Sequence, residues 1–131
     1  IGTQAYNFHL SRDGFAGEIA NARTFTLLGE IEALHKAGLA RGGSLANAIV
    51  VDGEKVMNPE GLRFTDEFVR HKLLDVIGDL ALAGAPISGR FIGSRTGHAL
   101  NNQLLRALFA DQANYRLTSG SVAGVSQLTA A

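Results

Sequence analysis

Residues 68–80 form the segment that most constrains how this chain can fold. Each residue of an α-helix advances by about 100°, so residues three or four positions apart share a face. With that spacing, the segment separates into an apolar face and a polar face. We expect such a helix to pack its apolar face against other elements of the fold. The apolar face contains Val69, Leu73, Val76, Ile77 and Leu80, and the polar face contains His71, Asp75 and Asp79.

The composition excludes several classes of protein. Apolar residues make up 46% of the 131 residues and charged residues 18%, which excludes a disordered acidic or basic chain. The 12 Lys and Arg residues balance 12 Asp and Glu residues, whereas a nucleic-acid partner would require a concentrated positive surface. The absence of cysteine excludes disulfides, thiolate metal sites and cysteine nucleophiles. No apolar stretch approaches the roughly 18 residues of a transmembrane helix.

Helix and strand signals alternate along the chain and predict an α+β fold, a two-layer sandwich of helices packed on a mixed sheet. Asp52-Gly53 between two apolar runs predicts a hairpin. Residues from Leu117 onward are small and polar without periodicity, and we expect them to form a frayed tail. The predicted strands are 4–10, 48–51, 54–58 and 86–93, and the predicted helices are 11–22, 27–36, 65–83 and 98–111.

The polar face of the long helix carries His71 and Asp75 one turn apart. An imidazole and a carboxylate at this spacing converge on one point, which suits two ligands of a zinc ion. A plain His–Asp hydrogen bond also suits this spacing, and it is the commoner case when the pattern stands alone. A catalytic zinc ion usually has three protein ligands and a water molecule, so two ligands are not sufficient. The residues alone leave both interpretations open.

His98 is a second candidate, because it follows a predicted strand and begins a predicted helix, directly after Gly97. A glycine lets the backbone approach a ligand closely, and a helix N-terminus offers free N–H groups to anions. An imidazole there can act as a general acid or stabilise a developing oxyanion. It can equally be an ordinary residue at a helix start. His9 and His35 lie on predicted polar faces, where we expect solvated surface residues.

Several longer motifs follow one another in order along the chain. They are Ala22-Arg23-Thr24-Phe25, Gly42-Gly43-Ser44-Leu45, Asn58-Pro59-Glu60-Gly61-Leu62-Arg63-Phe64, His71-Lys72-Leu73-Leu74-Asp75 and Gly97-His98-Ala99-Leu100-Asn101-Asn102. With these motifs, residues 22–111 strongly resemble the second domain of the UDP-3-O-acyl-N-acetylglucosamine deacetylases. That family comprises the zinc hydrolases of bacterial lipid A biosynthesis. The preceding strand resembles the family more loosely.

The resemblance implies roles for five residues in the hydrolysis of an N-acetyl group, with release of acetate. His71 and Asp75 match the family's zinc ligands. His98 matches the histidine that protonates the leaving amine or stabilises the oxyanion as a cation, and Asp79 matches the carboxylate that orients it. Thr24 would donate its hydroxyl to the tetrahedral oxyanion. The implied cofactor is Zn²⁺.

The resemblance also implies how a UDP-sugar substrate would be held. Lys72 would bind its phosphates, and Arg95 occupies the place of a basic residue near the diphosphate. Phe25 would pack against the sugar, and Gly97 would allow close approach of the substrate. The resemblance also implies a cytoplasmic protein of a Gram-negative bacterium. From the balanced charge we expect no nucleic-acid partner, and from the lack of a long apolar stretch we expect no transmembrane segment.

In this family a small βαβ insert, here residues 24–51, forms the groove for the substrate's acyl chain. Thr26-Leu27 and Ala46 depart from the family's commoner residues, and we expect these changes to tune the groove without affecting the chemistry. The residues expected to line the groove are Leu28, Ile31, Ala40, Ser44 and Ala48.

Part of the active site implied by the resemblance lies outside this chain. The family's third zinc ligand, a histidine, and its general base, a glutamate, belong to an N-terminal domain. Residues 1–115 would be most of the second domain, and residues 116–131 a flexible tail. The chain begins with Ile1, and we expect it to be a fragment that is inactive by itself. The alternative is a non-catalytic module that keeps the fold to bind a lipid or a partner.

Overall fold

The computed structural model describes residues 1–119 and the backbone of Ser126–Ala130. In this part of the chain, four α-helices pack with two three-stranded sheets, which confirms the predicted α+β fold. No helix among these residues has the length and apolar character needed to cross a membrane. The elements are β1 (Tyr6–Leu10), α1 (Arg12–Gly14), β2 (Thr24–Leu27), α2 (Ile31–Lys36), β3 (Ala48–Asp52), β4 (Lys55–Val56), α3 (Glu67–Leu80), β5 (Arg90–Gly93), α4 (His98–Ala110) and β6 (Ser126–Ala130).

The first sheet has the strand order β1-β6-β5. The central strand β6 is antiparallel to β1, with Phe8 opposite Leu128, and parallel to β5, with Phe91 opposite the same residue. Because the sheet contains both pairings, it is mixed, as predicted. α3 packs on one side of this sheet through a core that includes Phe8 of β1.

The second sheet has the strand order β2-β3-β4 and contains the predicted βαβ insert. β2 pairs with β3 in parallel, with Thr24 opposite Ala48, and α2 lies between these two strands in the chain. β3 then pairs with β4 in the predicted hairpin, where Asp52 lies opposite Lys55. Gly53 in the connecting turn has a φ of 58°, which glycine adopts at little steric cost.

Helix α3 joins the two cores of the molecule. Its residues Val69, Leu73 and Val76 are buried with Phe8 and Ile19 in the core beneath the first sheet. Phe68 of the same helix packs with Ile49 and Val51 of β3, beneath the second sheet. The apolar face predicted for this segment is therefore buried as expected, and the helix fixes the insert relative to the first sheet.

The prediction of a flexible tail is wrong for Ser126–Ala130, which form the central strand β6. Its backbone pairs with a strand on each side. Such pairing depends on neighbours distant in the sequence, so a short segment without a clear apolar pattern carries little local signal for it. The other predicted tail residues 120–125 and 131 lie outside the described residues.

The predicted helix over 11–22 also differs from the structure. The oxygen of Ser11 accepts a hydrogen bond from the N–H of Gly14 at 3.1 Å and caps the start of α1. After α1, however, the backbone widens into a π-helical turn over Phe15–Ile19. This turn ends with Ile19 fully buried in the core, a placement that helical periodicity alone does not predict.

Candidate active site

The polar face of α3 carries the predicted pair, His71 and Asp75, half-buried at the surface of the fold. Nε2 of His71 lies 3.3 Å from Oδ1 of Asp75. The ammonium group of Lys72 lies 3.8 Å from the other oxygen of the same carboxylate. One carboxylate therefore has an imidazole nitrogen near one oxygen and a cation near the other.

The hydrogen bond at Nδ1 of His71 determines whether Nε2, the nitrogen that faces Asp75, carries a proton or a lone pair. Nδ1 lies 3.2 Å from the carbonyl oxygen of Ala22, and a carbonyl oxygen can only accept a hydrogen bond. Nδ1 must therefore carry the proton, and in the neutral ring Nε2 presents its lone pair. That lone pair faces an oxygen of Asp75, which also carries lone pairs. Two such atoms repel unless a proton or a metal ion lies between them.

The spacing of these two atoms fits a zinc ion. Ligand bonds of about 2.0 to 2.1 Å at a tetrahedral angle place two ligand atoms about 3.3 to 3.4 Å apart. The observed separation of Nε2 of His71 and Oδ1 of Asp75 is 3.3 Å. A backbone carbonyl on the opposite nitrogen is also one of the usual partners of a metal-bound histidine. His71 and Asp75 could therefore serve as two zinc ligands.

A complete zinc site would need a further ligand. Within the described residues, no three His, Cys, Asp or Glu side chains form a group that could hold a metal ion. His98 is the nearest further candidate, since its Nε2 lies 4.0 Å from Oδ1 of Asp75. Its other nitrogen, Nδ1, is within hydrogen-bond distance of a different carboxylate, that of Asp79. The described part of the chain thus offers two ligand side chains.

Helix α4 brings His98 to the same place from the other side. Nδ1 of His98 lies 2.9 Å from Oδ2 of Asp79, and the side chain of Asn101 donates to the same oxygen at 2.8 Å. Asn101 is buried, whereas the side chain of His98 is 71% exposed. Because Nδ1 is held by Asp79, the Nε2 atom is left facing the open side of the site, near Asp75.

Phe25 of β2 forms the wall of the site beside His71. Its ring meets the His71 ring edge-on at 6.2 Å between centroids, and it meets Phe68 in the same way at 5.0 Å. The ammonium group of Lys72 lies 5.5 Å from the centre of the Phe25 ring. The aromatic contact with buried Phe68 therefore holds a half-exposed ring next to the predicted ligands.

Lys72 and Arg95 line one open cavity of about 160 Å³, together with Phe25 and Thr96. Arg95 lies between β5 and α4 with a φ of 52°, a conformation that a residue with a side chain rarely adopts. Gly97 has extended backbone that any residue could adopt, and a Cβ there would meet no atom within 4 Å. Gly97 thus leaves open space at the start of α4, and the two cations face a common cavity.

The remaining predicted residues are not all brought together. Thr24 is exposed at the start of β2, directly after the segment that contacts His71. The cavity beside Lys72 is not lined by any residue predicted for the acyl groove. Those predicted groove residues lie elsewhere on the insert, with Ile31 and Ala48 half-buried and Leu28, Ala40 and Ser44 exposed.

The sequence pattern gave no indication of a buried ion pair beneath the site. Arg23 and Glu67 are 4% and 0% exposed, and their side chains hydrogen-bond at 2.9 Å. Burial alone raises the pKa of Glu67, but the hydrogen bonds from Arg23 and from the N–H of Arg63 outweigh it, so its pKa lies below the ordinary value. The hydrogen bond with Glu67 raises the pKa of Arg23. Arg23 lies within a family motif, but its partner is 44 positions away.

With this geometry established, the comparisons with known proteins identify the family. A model of the LpxC family, UDP-3-O-acyl N-acetylglycosamine deacetylase, matches residues 1–110. A protein of Phenylobacterium zucineum (strain HLK1) named UDP-3-O-acyl-N-acetylglucosamine deacetylase is 58% identical over 110 residues, which are 84% of this chain and 38% of that relative.

Two further relatives carry the same name. The one from Campylobacter fetus subsp. fetus (strain 82-40) is 50% identical over 91% of this chain and 40% of its own length. The one from Acidithiobacillus ferrooxidans (strain ATCC 53993 / BNL-5-31) is 56% identical over 85% of this chain and 36% of its own length. The chain thus spans well under half the length of these curated relatives. Since the family model matches most of the chain, the resemblance predicted from the motifs is confirmed, and the chain belongs to the LpxC family of UDP-3-O-acyl N-acetylglycosamine deacetylases.

Proposed function

We propose that this chain supplies part of the active site of a zinc-dependent deacetylase. The substrate would be UDP-3-O-acyl-N-acetylglucosamine, which loses its N-acetyl group as acetate during lipid A biosynthesis in Gram-negative bacteria. The observation that carries the proposal is the pair formed by Nε2 of His71 and Oδ1 of Asp75, 3.3 Å apart. The family membership of the chain supports the same reaction class.

His71 and Asp75 would hold the zinc ion. When bound, the ion would polarise the acetamide carbonyl and lower the pKa of a water molecule that it holds. A third ligand, a histidine, and a general base, a glutamate, would come from an N-terminal domain outside residues 1–131. We therefore expect residues 1–131 alone to bind zinc weakly and to lack turnover.

His98 would supply the proton that the leaving group needs. Water adds to the acetyl carbon, the C–N bond of the amide breaks, and the sugar nitrogen must gain a proton to leave as an amine. Nδ1 of His98 lies 2.9 Å from Asp79, so the ring is oriented with Nε2 towards the open side of the site. Thr24, exposed at the start of β2, would donate its hydroxyl to the oxyanion of the tetrahedral intermediate.

The rest of the site would bind the substrate. Lys72 and Arg95 line the same cavity and would bind the diphosphate, because two cations around one space attract an anion of this charge. Phe25 would pack against the sugar ring, and the space left by Gly97 would allow the substrate to approach α4.

The βαβ insert would hold the acyl chain. Three leucines of the insert outside the predicted set are more than two-fifths exposed, so their side chains are available to contact an acyl chain. They are Leu27, Leu39 and Leu45, and they would join the predicted groove residues Leu28, Ile31, Ala40, Ser44 and Ala48.

Substitution of His71 by alanine tests the proposal directly. In the full-length gene product, we expect His71→Ala to lose most of its bound zinc and its deacetylation of UDP-3-O-acyl-N-acetylglucosamine. His35→Ala is the matched control, because His35 is exposed on α2, and it should leave both quantities unchanged. Zinc is measured by mass spectrometry and acetate by enzymatic assay. Wild-type zinc content and turnover in folded His71→Ala would refute the proposal, and substrate binding without turnover in the wild type would favour a non-catalytic module.

A further inference from the structure

One peptide bond, between Ala22 and Arg23, is held at both ends by side chains of α3. Its carbonyl oxygen accepts the hydrogen bond from Nδ1 of His71 at 3.2 Å. Its N–H donates to Oε1 of Glu67 at 3.0 Å. Glu67 and His71 lie one turn apart on the same helix, so their side chains reach the two sides of one peptide plane. The orientation of this plane therefore sets where the acceptor for His71 lies.

The side chain of Glu67, which holds the N–H of this peptide, has little freedom to move. Its carboxylate is fully buried and accepts hydrogen bonds from three groups besides the Arg23 N–H. Nε and Nη2 of Arg23 donate at 2.9 and 3.2 Å, and the N–H of Arg63 donates at 2.6 Å. Arg23 also donates from Nη2 to the carbonyl of Gly61 at 2.8 Å and from Nη1 to Glu60. These bonds fix Arg23 through both its side chain and its backbone.

The consequence for His71 follows from the chemistry of imidazole. A neutral ring can carry its proton on either nitrogen, and the hydrogen bond at one nitrogen decides which tautomer is present. The carbonyl of Ala22 requires the proton on Nδ1 and thereby leaves Nε2 free to bind a metal ion. If the peptide plane turned, the ring would lose both this tautomer and its direction towards Asp75.

We propose that Arg23 and Glu67 are positioning residues for His71, because by holding the Ala22–Arg23 peptide they keep Nε2 as the metal-binding atom. This inference rests on the proposed zinc role of His71. It adds that the affinity of the site depends on a buried pair that touches neither the metal nor the substrate. Outer partners of metal-bound histidines commonly contribute about 10 to 100-fold to metal affinity.

Glu67→Gln separates this role from simple stabilisation. The glutamine has nearly the same size, but its NH₂ group cannot accept a hydrogen bond. Each oxygen of the Glu67 carboxylate accepts two hydrogen bonds, so two of the donors around this side chain lose their partner. The matched control is Glu60→Gln, which changes the other carboxylate bound to Arg23. Glu60 binds Nη1 of the guanidinium rather than the Ala22–Arg23 peptide, and its side chain is 51% exposed.

Two measurements on the full-length gene product test the inference. The ¹⁵N chemical shifts of His71 in the metal-free protein report its tautomer, and competition with a chelator gives the zinc dissociation constant. We expect Glu67→Gln to raise that constant about 10 to 100-fold and to produce an Nε2–H signal. Glu60→Gln should resemble the wild type in both. A folded Glu67→Gln protein with the wild-type tautomer and affinity would overturn the inference, even if its melting temperature fell.

A second variant applies if Glu67→Gln does not fold. Arg23→Lys keeps the charge and the backbone N–H but replaces the fork of donors with a single ammonium group. It should shift the tautomer and the zinc affinity in the same direction, and wild-type values for both would again overturn the inference. The ¹⁵N shifts are measured without metal, so they test the positioning of His71 even if the wild-type protein fails to bind zinc. A wild-type protein that does not bind zinc would refute the proposed function but not the positioning of His71.

Discussion

Nδ1 of His98 lies 2.9 Å from Oδ2 of Asp79, which connects the start of α4 to the last turn of α3. Asn101, one turn further along α4, donates to the same carboxylate oxygen at 2.8 Å. Asp79 therefore has its position fixed by a buried amide and in turn fixes the exposed imidazole. The ring that the proposed reaction uses as a proton donor is therefore oriented by contacts within the protein.

Asp79→Asn tests this relationship. The amide is close in size to the carboxylate but has one acceptor oxygen fewer, so it should orient the His98 ring less firmly and proton delivery to the leaving amine should slow. We expect the kcat for deacetylation to fall about 10²-fold, within the range attributed to a positioned general acid, with a small change in KM. The zinc content should stay at the wild-type value, since Asp79 is not a proposed ligand.

Asp52→Asn is the control for this experiment, because Asp52 is exposed at the end of β3 in the insert. It should leave kcat unchanged. Wild-type kcat and an unchanged pH profile in Asp79→Asn would show that Asp79 does not act through His98.

The core beneath α3 gives a prediction about stability. Leu73 is fully buried in the cluster that contains Phe8 and Ile19. Leu73→Ala removes buried methyl groups and leaves a cavity, so the free energy of unfolding should fall by about 2 to 5 kcal/mol. Urea unfolding followed by circular dichroism measures the change.

Leu82 provides the comparison, because it is 70% exposed just beyond the end of α3. Leu82→Ala should change the free energy of unfolding by less than about 0.5 kcal/mol. Equal losses for Leu73→Ala and Leu82→Ala would contradict the placement of α3 on the first sheet.

Asn58 gives a second prediction about stability, this time for the insert. Its side chain is buried, accepts from the N–H of Val50 at 3.0 Å and donates to the carbonyls of Leu45 and Ala48. Asn58→Ala removes one buried and two partly buried hydrogen bonds to the backbone, at a cost of about 1 to 3 kcal/mol in the free energy of unfolding.

Asn47→Ala is the matched control for Asn58→Ala. Asn47 also bonds to the backbone, with two bonds where Asn58 has three. They join it to the N–H of Ser44 and the carbonyl of Gly42, but Asn47 is exposed, so water can replace them. Its substitution should cost less than about 1 kcal/mol. A larger loss for Asn47→Ala than for Asn58→Ala in thermal unfolding would contradict this account of the insert.

Local periodicity predicted the parts of the fold that depend on nearby residues. The spacing of Val69, Leu73 and Val76 predicted the buried face of α3, and Asp52-Gly53 predicted the hairpin. Strand β6 was not predicted, because its place between β1 and β5 depends on backbone groups far away in the sequence. The π-helical turn before Ile19 was missed for a related reason, since the core selects it.

In the candidate site, too, the contacts within one helix were predicted from the sequence, whereas contacts between distant segments were not predicted from local pattern. The pairing of His71 with Asp75 follows from helix geometry, so the sequence was enough to predict it. The contact between His98 and Asp79 needed the family resemblance, because it joins two helices. The Arg23–Glu67 pair was not predicted at all, since nothing in the local pattern relates a residue before β2 to one at the start of α3.

The lowered pKa of Glu67 predicts how the stability of the fold changes at acid pH. The unfolded protein binds a proton on this carboxyl with a pKa near 4.5, whereas in the folded protein the hydrogen bonds from Arg23 and Arg63 outweigh burial and hold the pKa lower. The stabilisation is therefore fully present above the unfolded pKa and is lost as the pH falls through the folded pKa. In Glu67→Gln, the group that titrates is absent.

The free energy of unfolding of the wild type and of Glu67→Gln should therefore differ most near neutral pH and converge as the pH falls below about 4.5. Urea unfolding at a series of pH values measures both curves. Glu54 is exposed in the turn between β3 and β4. The free energy of unfolding of Glu54→Gln should therefore differ from that of the wild type by the same amount at every pH. A constant gap between the wild type and Glu67→Gln across the acid range would mean that Glu67 is protonated alike in the folded and unfolded protein, which is incompatible with a buried carboxylate bound to Arg23.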